Sequence, residues 1–145
     1  MRKQLVRKLG TVCLALLMIL SFAIPALAAQ KTTYSANDKT PINAQVCVKP
    51  QKLEMKNGKL VARCYVINGM DRPIWITGEQ IISVYANGKR IAYGKANIPQ
   101  EEEYEINPGK YELEDFTFGE HEFDKTASLE NITINSSIVY QWADE

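Results

Sequence analysis

The sequence predicts an all-β fold, an antiparallel β-sandwich of seven or eight short strands, and three observations support it. After residue 28, several short segments alternate apolar or β-branched residues with polar ones. Turn signals separate these segments every 8–15 residues. No stretch shows the 3.6-residue period of an amphipathic helix. This pattern favours an antiparallel sandwich over a βαβ fold, with a small barrel as the alternative.

Residues 1–28 have the order of a secretory signal peptide. Four Lys or Arg residues open the chain, and an apolar run follows over residues 12–24. Pro25 ends the run, and Ala26 and Ala28 form a small-x-small cleavage signal. The run is shorter than the roughly 20 residues that span a bilayer, so we expect cleavage after Ala28, with an uncleaved anchor as the alternative. The sequence therefore predicts a secreted protein, with a cell-envelope location also open, that meets the membrane only before cleavage.

After the signal peptide we expect a flexible leader over residues 29–41 and one domain over 42–145. The leader is polar and shows no period. The full chain has 17 basic and 17 acidic residues, and four of the basic ones lie in the signal peptide, so the exported chain carries a net charge of −4. An acidic domain is a poor candidate for nucleic acid.

The first half of the domain predicts three strands. Residues 42–48 alternate, and the dipeptide Asn57-Gly58 predicts a tight hairpin into a strand over residues 60–67. The strand over residues 60–67 is apolar at nearly every position, which indicates that other parts of the protein cover both of its faces. A short strand over residues 74–77 follows, with Trp75 expected in the core.

The second half predicts a hairpin over residues 80–86 and 90–96, joined by a second Asn-Gly turn. Residues 111–118 form a further strand, and a change of parity within it predicts a bulge near Asp115. The clearest alternation is in the last strand, residues 132–142, whose isoleucines and aromatics share one face. We expect that face to pack in the core.

Charge is unevenly placed along the exported chain. Residues 45–95 carry a net charge of +6, and residues 100–124 a net charge of −9. Two oppositely charged, solvated faces explain this most simply. Electrostatic self-association, or docking to a charged wall polymer, is the alternative.

Two cysteines, Cys47 and Cys64, remain after signal cleavage. An exported chain with two thiols predicts one disulfide between them. The alternative is two separate thiols, one of them buried.

The stretch from Leu60 to Phe118, with Gly58 and Lys59 directly before it, carries a set of turn and strand motifs. These are Gly58-Lys59-Leu60-Val61, Tyr65-Val66-Ile67-Asn68-Gly69, the hairpin over residues 86–92, Asn107-Pro108-Gly109 and Phe116-Thr117-Phe118. The segment resembles the small immunoglobulin-like domains of exported and cell-envelope proteins of Gram-positive bacteria, of the S-layer-associated type. The resemblance implies an immunoglobulin-like sandwich and a non-catalytic extracellular module that contacts the envelope or another protein.

The residues indicate no catalytic or metal centre. His121 is the single histidine, and no further histidine or nearby cysteine completes a metal-ligand set with it. Residues 101–103 are three consecutive glutamates without the spacing of a calcium loop. No nucleophile-and-base motif and no phosphate loop is present. We therefore predict no enzymatic activity and no cofactor.

We predict a secreted binding or cell-envelope interaction module whose partner is an extracellular protein or a cell-wall component. A secreted inhibitor or partner of another extracellular protein is the first alternative. A carbohydrate-binding module that uses exposed aromatic residues is the second.

Overall fold

The computed structural model describes residues 29–98 and 105–143, and every strand pairing in them is antiparallel. The strands of these residues are β1 Thr33–Ser35, β2 Val46–Lys56, β3 Lys59–Asn68, β4 Ile74–Ile76, β5 Gly78–Ala86, β6 Lys89–Ile98, β7 Glu105–Ile106, β8 Tyr111–Phe118, β9 Ile132–Ser137 and β10 Tyr140–Trp142. In the same residues, no helix is long and apolar enough to cross a membrane. The predicted signal peptide lies outside the described residues.

The strands form three open sheets. Their orders are β1-β2-β3-β8, β6-β5-β9 and β10-β4-β7. The first two sheets pack face to face, and at one end a Cβ on Gly94 of β6 would lie 2.9 Å from the Phe118 ring of β8. The core between them is apolar, with Leu53, Leu60 and Val84 fully buried. The prediction of an all-β antiparallel fold is confirmed, and the arrangement is consistent with a β-sandwich.

The third sheet continues the second across a bend. β4 leads into β5 through Thr77 and Gly78, and β9 leads into β10 through Ile138 and Val139. Gly78 has a positive φ of 69°, which glycine adopts without steric cost. The segments β4–β5 and β9–β10 therefore each contribute one strand to both sheets.

The predicted hairpins are confirmed. Asn57 and Gly58 have φ angles of 50° and 72°, and Asn87 and Gly88 have φ angles of 48° and 78°. Positive φ at both central positions is the requirement of a type I′ turn, which asparagine and glycine tolerate best. The predicted core face of the last strand is also confirmed, although Ile138 and Val139 split that strand in two.

Other predictions differ from the structure. Trp75 is 42% exposed, because its neighbours Ile74 and Ile76 take the inward positions of β4. The ladder between β3 and β8 has no bulge at Asp115, because Leu113 points outward rather than into the core. The segment predicted as a leader contains β1. With β1, the two-residue β7 and the split last strand, the described residues hold ten strands instead of seven or eight.

Candidate functional site

A groove of about 540 Å³ opens between β2 and β9, at one side of the molecule. We call it the lateral groove. Its two walls are residues 46–50 of β2 and residues 132–136 of β9, and its rim comes from the N-terminal segment, residues 34–45. Its volume lies within the range of binding pockets, about 300–1,000 Å³.

Five consecutive residues of each strand line the lateral groove. Successive side chains of a strand point to opposite faces of the sheet, so a face can present only alternate residues. A strand presents an unbroken run only along its edge. The groove therefore exposes backbone from two strand edges, one in each sheet.

The β2 edge is free because its pairing with β1 ends early. The β1–β2 ladder ends at the pair Ser35 and Lys52. One further hydrogen bond follows, from the Ala36 N–H to the Gln51 carbonyl at 2.9 Å. A register shift follows between Pro50 and Lys52, and Pro50 has no N–H to offer a neighbouring strand. The N-terminal segment therefore leaves β2 there instead of pairing further. On the opposite wall, β9 is the last strand of its sheet in the described residues.

Polar contacts hold the N-terminal segment against the outer face of β2 and β3. Lys49 forms an ion pair with Asp38 at 2.8 Å, and the Tyr65 hydroxyl donates to Oδ1 of Asn37 at 2.9 Å. Lys39 also lies over the Tyr65 ring, 5.8 Å from its centroid. These contacts fix one rim of the groove.

A turn over residues 42–45 completes that rim. The Ala44 N–H donates to the Gly69 carbonyl, and the Gly69 N–H donates to the Gln45 carbonyl, both at 2.8 Å. A Cβ on Gly69 would lie 1.9 Å from the carbonyl oxygen of Ile42. Only glycine therefore permits this close approach of the two backbones.

The described residues that line the lateral groove carry no net charge. Asp38 and Lys49 are the charged residues among those that line it, and they pair with each other. Hydrogen bonds from Lys49 and then from Thr40 lower the pKa of Asp38 to about 2, so the pair stays ionised. The rest of the lining is apolar, as at Val46 and Ile134, or carries neutral polar groups.

The groove is suited to binding by backbone hydrogen bonds and apolar contact. Among the described residues that line it, Cys47 is the one thiol, and no histidine, Glu or Lys other than Lys49 is present. Across residues 29–98 and 105–143, no group of three or more His, Cys, Asp or Glu side chains could hold a metal ion.

The predicted disulfide between Cys47 and Cys64 is not formed, and both thiols are free. Cys47 pairs with Ile67, whereas Cys64 pairs with Pro50. The two cysteines thus point to opposite faces of the same sheet and lie three positions apart, roughly 10 Å along the strands. A disulfide needs Cβ atoms about 4 Å apart, so this register corrects the prediction.

The other residues singled out from the sequence do not converge on the groove. His121 is exposed in the turn after β8. The three glutamates at residues 101–103 lie outside the described residues. Tyr140 and Trp142 pack against the core with their rings edge to face at 5.6 Å. Of these candidates, only Cys47 lines the groove.

Sequence reasoning did not single out Ile134 and Asn135 of β9 as residues that line a groove. The signal that points to them is the end of the apolar alternation in the polar run Asn135-Ser136-Ser137. Such a run is tolerated where a strand has no neighbour on one side.

No family model matches this chain, and no curated protein is similar to it. The chain is similar to a solved structure described as the crystal structure of a protein from Archaeoglobus fulgidus, at 15% sequence identity and a TM-score of 0.35. The similarity covers 68% of this chain and 84% of that one. A similarity this weak carries no argument about fold type or function.

Proposed function

We propose that this chain is an exported, non-enzymatic binding module that takes an extended segment of a partner protein into the lateral groove. The observation that carries the proposal is the construction of the groove from two strand edges, residues 46–50 of β2 and residues 132–136 of β9. An edge is a row of backbone donors and acceptors, and the group that matches such a row is another strand.

The edge of β9 is the pairing surface in this proposal. β9 has six residues, so its edge runs for about 20 Å. Water satisfies its outer N–H and C=O groups in the free protein, and the partner's backbone replaces that water. A segment of about six residues therefore adds as a further strand beside β9.

The walls indicate which side chains the partner presents. Val46 of β2 and Ile134 of β9, both only partly buried, supply apolar surface on the two sides of the groove. The buried Val48 and Ile132 also line it. The single ion pair leaves no unpaired charge to attract a charged segment. We therefore expect an uncharged partner segment with apolar residues at alternate positions.

The proposal includes export and an immunoglobulin-like topology. Support for export comes from the charged start, apolar run and cleavage signal in residues 1–28. Support for the topology comes from the motifs over residues 58–118 and their resemblance to Gram-positive envelope domains. With export, the partner is an extracellular protein, or a protein attached to the cell wall. No cofactor takes part.

The test uses a random heptapeptide display library panned on the purified exported protein. We expect enriched peptides with apolar residues at every second position. Synthetic peptides from that set, measured by calorimetry, are expected to bind the wild type and to lose affinity roughly tenfold or more with Ile134→Asp, since an ion in the apolar wall is costly.

The matched control is Leu113→Asp, which places the same charge on β8, the edge strand of the other sheet. It should leave peptide affinity unchanged. Two peptides are then compared, one N-methylated at its odd-numbered residues and one at its even-numbered residues. The peptide whose methyl groups replace the N–H donors that face β9 should no longer bind, and the other should still bind. Equal binding by both protein variants, or no enriched peptide, would contradict the proposal.

A separate experiment distinguishes the two classes of partner. The exported protein is incubated with isolated, protein-free cell-wall material and, in parallel, with exported proteins of the same cells. Ile134→Asp should reduce capture of the protein fraction only. Loss of wall binding in that variant would favour a wall polymer as the occupant of the groove instead.

A further inference from the structure

We infer that the outer face of the third sheet, β10-β4-β7, is a second binding site, for a neutral pyranose chain of a glycan. Trp75 is its centre. The register places Gln141 of β10 on one side of Trp75 and Glu105 of β7 on the other. We call these three residues the Trp75 row. The inference is independent of the lateral groove, whose lining includes no residue of β4, β7 or β10.

Trp75 presents its indole on the outer face of the third sheet. It lies in the central strand of that sheet, and because its neighbours Ile74 and Ile76 take the buried positions, its side chain points outward and is 42% exposed. Val139, 48% exposed, follows the same outward parity on the neighbouring segment. A tryptophan carries a large apolar surface that normally packs inside a protein or against a ligand.

The polar groups of the Trp75 row are unused. Within residues 29–98 and 105–143, the indole N–H, the Gln141 amide and the Glu105 carboxylate have no side-chain hydrogen bond or ion pair. The indole and amide supply donors, and the amide and carboxylate supply acceptors. Opposite residues on adjacent strands have Cβ atoms about 5 Å apart, so these groups flank the aromatic ring closely.

This combination matches the chemistry of a sugar ring. A pyranose has an apolar C–H face that packs on an aromatic ring and a rim of hydroxyl groups that both donate and accept. The carboxylate of Glu105 disfavours an anionic sugar, because like charges repel. The ligand is therefore a neutral glycan unit.

The small size of the face also favours a sugar over a protein as the ligand. Three strands at the usual spacing of about 4.8 Å span roughly 10 Å across the sheet, and the three residues of β4 span roughly 10 Å along it. A specific protein interface buries about 1,000 Å² or more, which is several times this area. One or two sugar rings fit on it.

The scaffold beneath the Trp75 row is packed in the core and hydrogen-bonded. Ile74, Ile76 and Ile106 are fully buried under it. The Asn68 amide donates to the Ile106 carbonyl at 2.8 Å and to the Arg72 carbonyl at 2.9 Å, which ties β7 to the segment before β4. The strands that carry Trp75 and Glu105 are therefore anchored to the core on their inner side, which supports a site on their outer side.

The test is a fluorescence titration with neutral tetrasaccharides, chitotetraose, cellotetraose and mannotetraose, on the Trp142→Phe variant, in which Trp75 is the only tryptophan. At least one sugar should shift the emission of Trp75 to shorter wavelength. Calorimetry should then show that Trp75→Ala, made in the otherwise wild-type chain, lowers the affinity for that sugar roughly tenfold or more. Gln141→Ala should weaken it by a smaller factor.

The matched control is Tyr93→Ala, because Tyr93 is 44% exposed on β6, in a different sheet. It should leave sugar affinity within about twofold, and a hyaluronan tetrasaccharide should bind more weakly than the neutral sugars. No emission change with any sugar, or an equal loss in Tyr93→Ala, would overturn the inference. Sedimentation of wild type and Trp75→Ala completes the test, since a dimer that only Trp75→Ala disrupts would make the face a self-association surface instead.

Discussion

Gln80 shows how one buried polar residue permits the bend between the second and third sheets. Its Nε2 donates to the carbonyls of Thr77, Gly78 and Val139 at 2.8, 3.2 and 3.3 Å. Its Oε1 accepts from the Val139 N–H at 2.8 Å. Backbone groups that leave a ladder at a bend must find other partners, and this side chain supplies them on both strands.

Replacement of Gln80 by leucine should destabilise the fold by about 2–3 kcal/mol, because buried backbone groups at the bend lose their partners. Urea denaturation followed by circular dichroism measures this. Gln141→Leu is the control, an exposed glutamine in β10 of the third sheet, and should change the free energy of unfolding by no more than about 0.5 kcal/mol. Equal effects of the two variants would show that the Gln80 hydrogen bonds are not important.

The two thiols should differ sharply in reactivity. Cys47 is half-buried in the lateral groove, whereas Cys64 is fully buried, and burial raises the pKa of Cys64 to about 12. The thiolate is the reactive form. A thiol reagent at pH 8 should therefore modify Cys47 in the native protein and both cysteines after denaturation without reductant. Absence of any free thiol in the denatured protein would instead demonstrate a disulfide.

At the scale of elements, the packing of the turn over residues 42–45 against the backbone at the end of β3 depends on Gly69. Gly69→Ala should destabilise the protein by about 1–3 kcal/mol, because the new methyl group meets two backbone carbonyls that cannot turn aside. Hydrogen exchange at the Ala44 amide should accelerate as the turn detaches. In the control Gly119→Ala, the nearest atom is a flexible Glu122 oxygen at 3.5 Å, so little change is expected.

Elements defined by local signals were predictable from the sequence. The Asn-Gly turns at residues 57–58 and 87–88 fix positive φ angles within a few residues, and alternation in the last strand assigned its buried face. The parity change in β8 was misread, because a local rule attributes every large apolar residue to the core. Leu113 instead lies outward on an edge strand, 47% exposed.

At the scale of the whole molecule, strand pairing brings the basic and acidic segments together. Arg63 of β3 makes two hydrogen bonds of 2.8 Å to Asp115 of β8, and Lys89 pairs with Asp124 at 3.3 Å. The opposite net charges along the sequence are thus partly neutralised, between β3 and β8 in the first pair and between β6 and the segment after β8 in the second. Self-association stays a prediction that sedimentation at low and high salt tests, and a monomer at both salt levels would exclude it.

These pairs predict how stability depends on pH. Hydrogen bonds from Lys49 and Thr40 lower the folded-state pKa of Asp38 from 3.8 to about 2, and the pKa values of Asp115 and Asp124 are also lowered. A lowered carboxylate pKa stabilises the folded state above the unfolded value, and the contribution is lost as the pH falls through the folded value. The melting temperature should therefore drop between pH 4 and pH 2.

Asp38→Asn should make that drop shallower, because the variant has no carboxylate to protonate at this position. Asp71→Asn is the control, since Asp71 is exposed and the described residues give it no ion pair. Thermal unfolding at half-unit pH steps compares the three proteins. Identical curves for wild type and Asp38→Asn would exclude a role of the Asp38–Lys49 pair.

The sequence by itself determined the all-β class, the hairpin turns and the inward face of the last strand, because each depends on interactions within a few residues. Only the tertiary structure decided that Cys47 and Cys64 lie on opposite faces, that Trp75 points outward and that β2 and β9 keep free edges. These features depend on register and on which strand lacks a neighbour. Both are properties of pairing between distant segments, which the alternation within one strand does not encode.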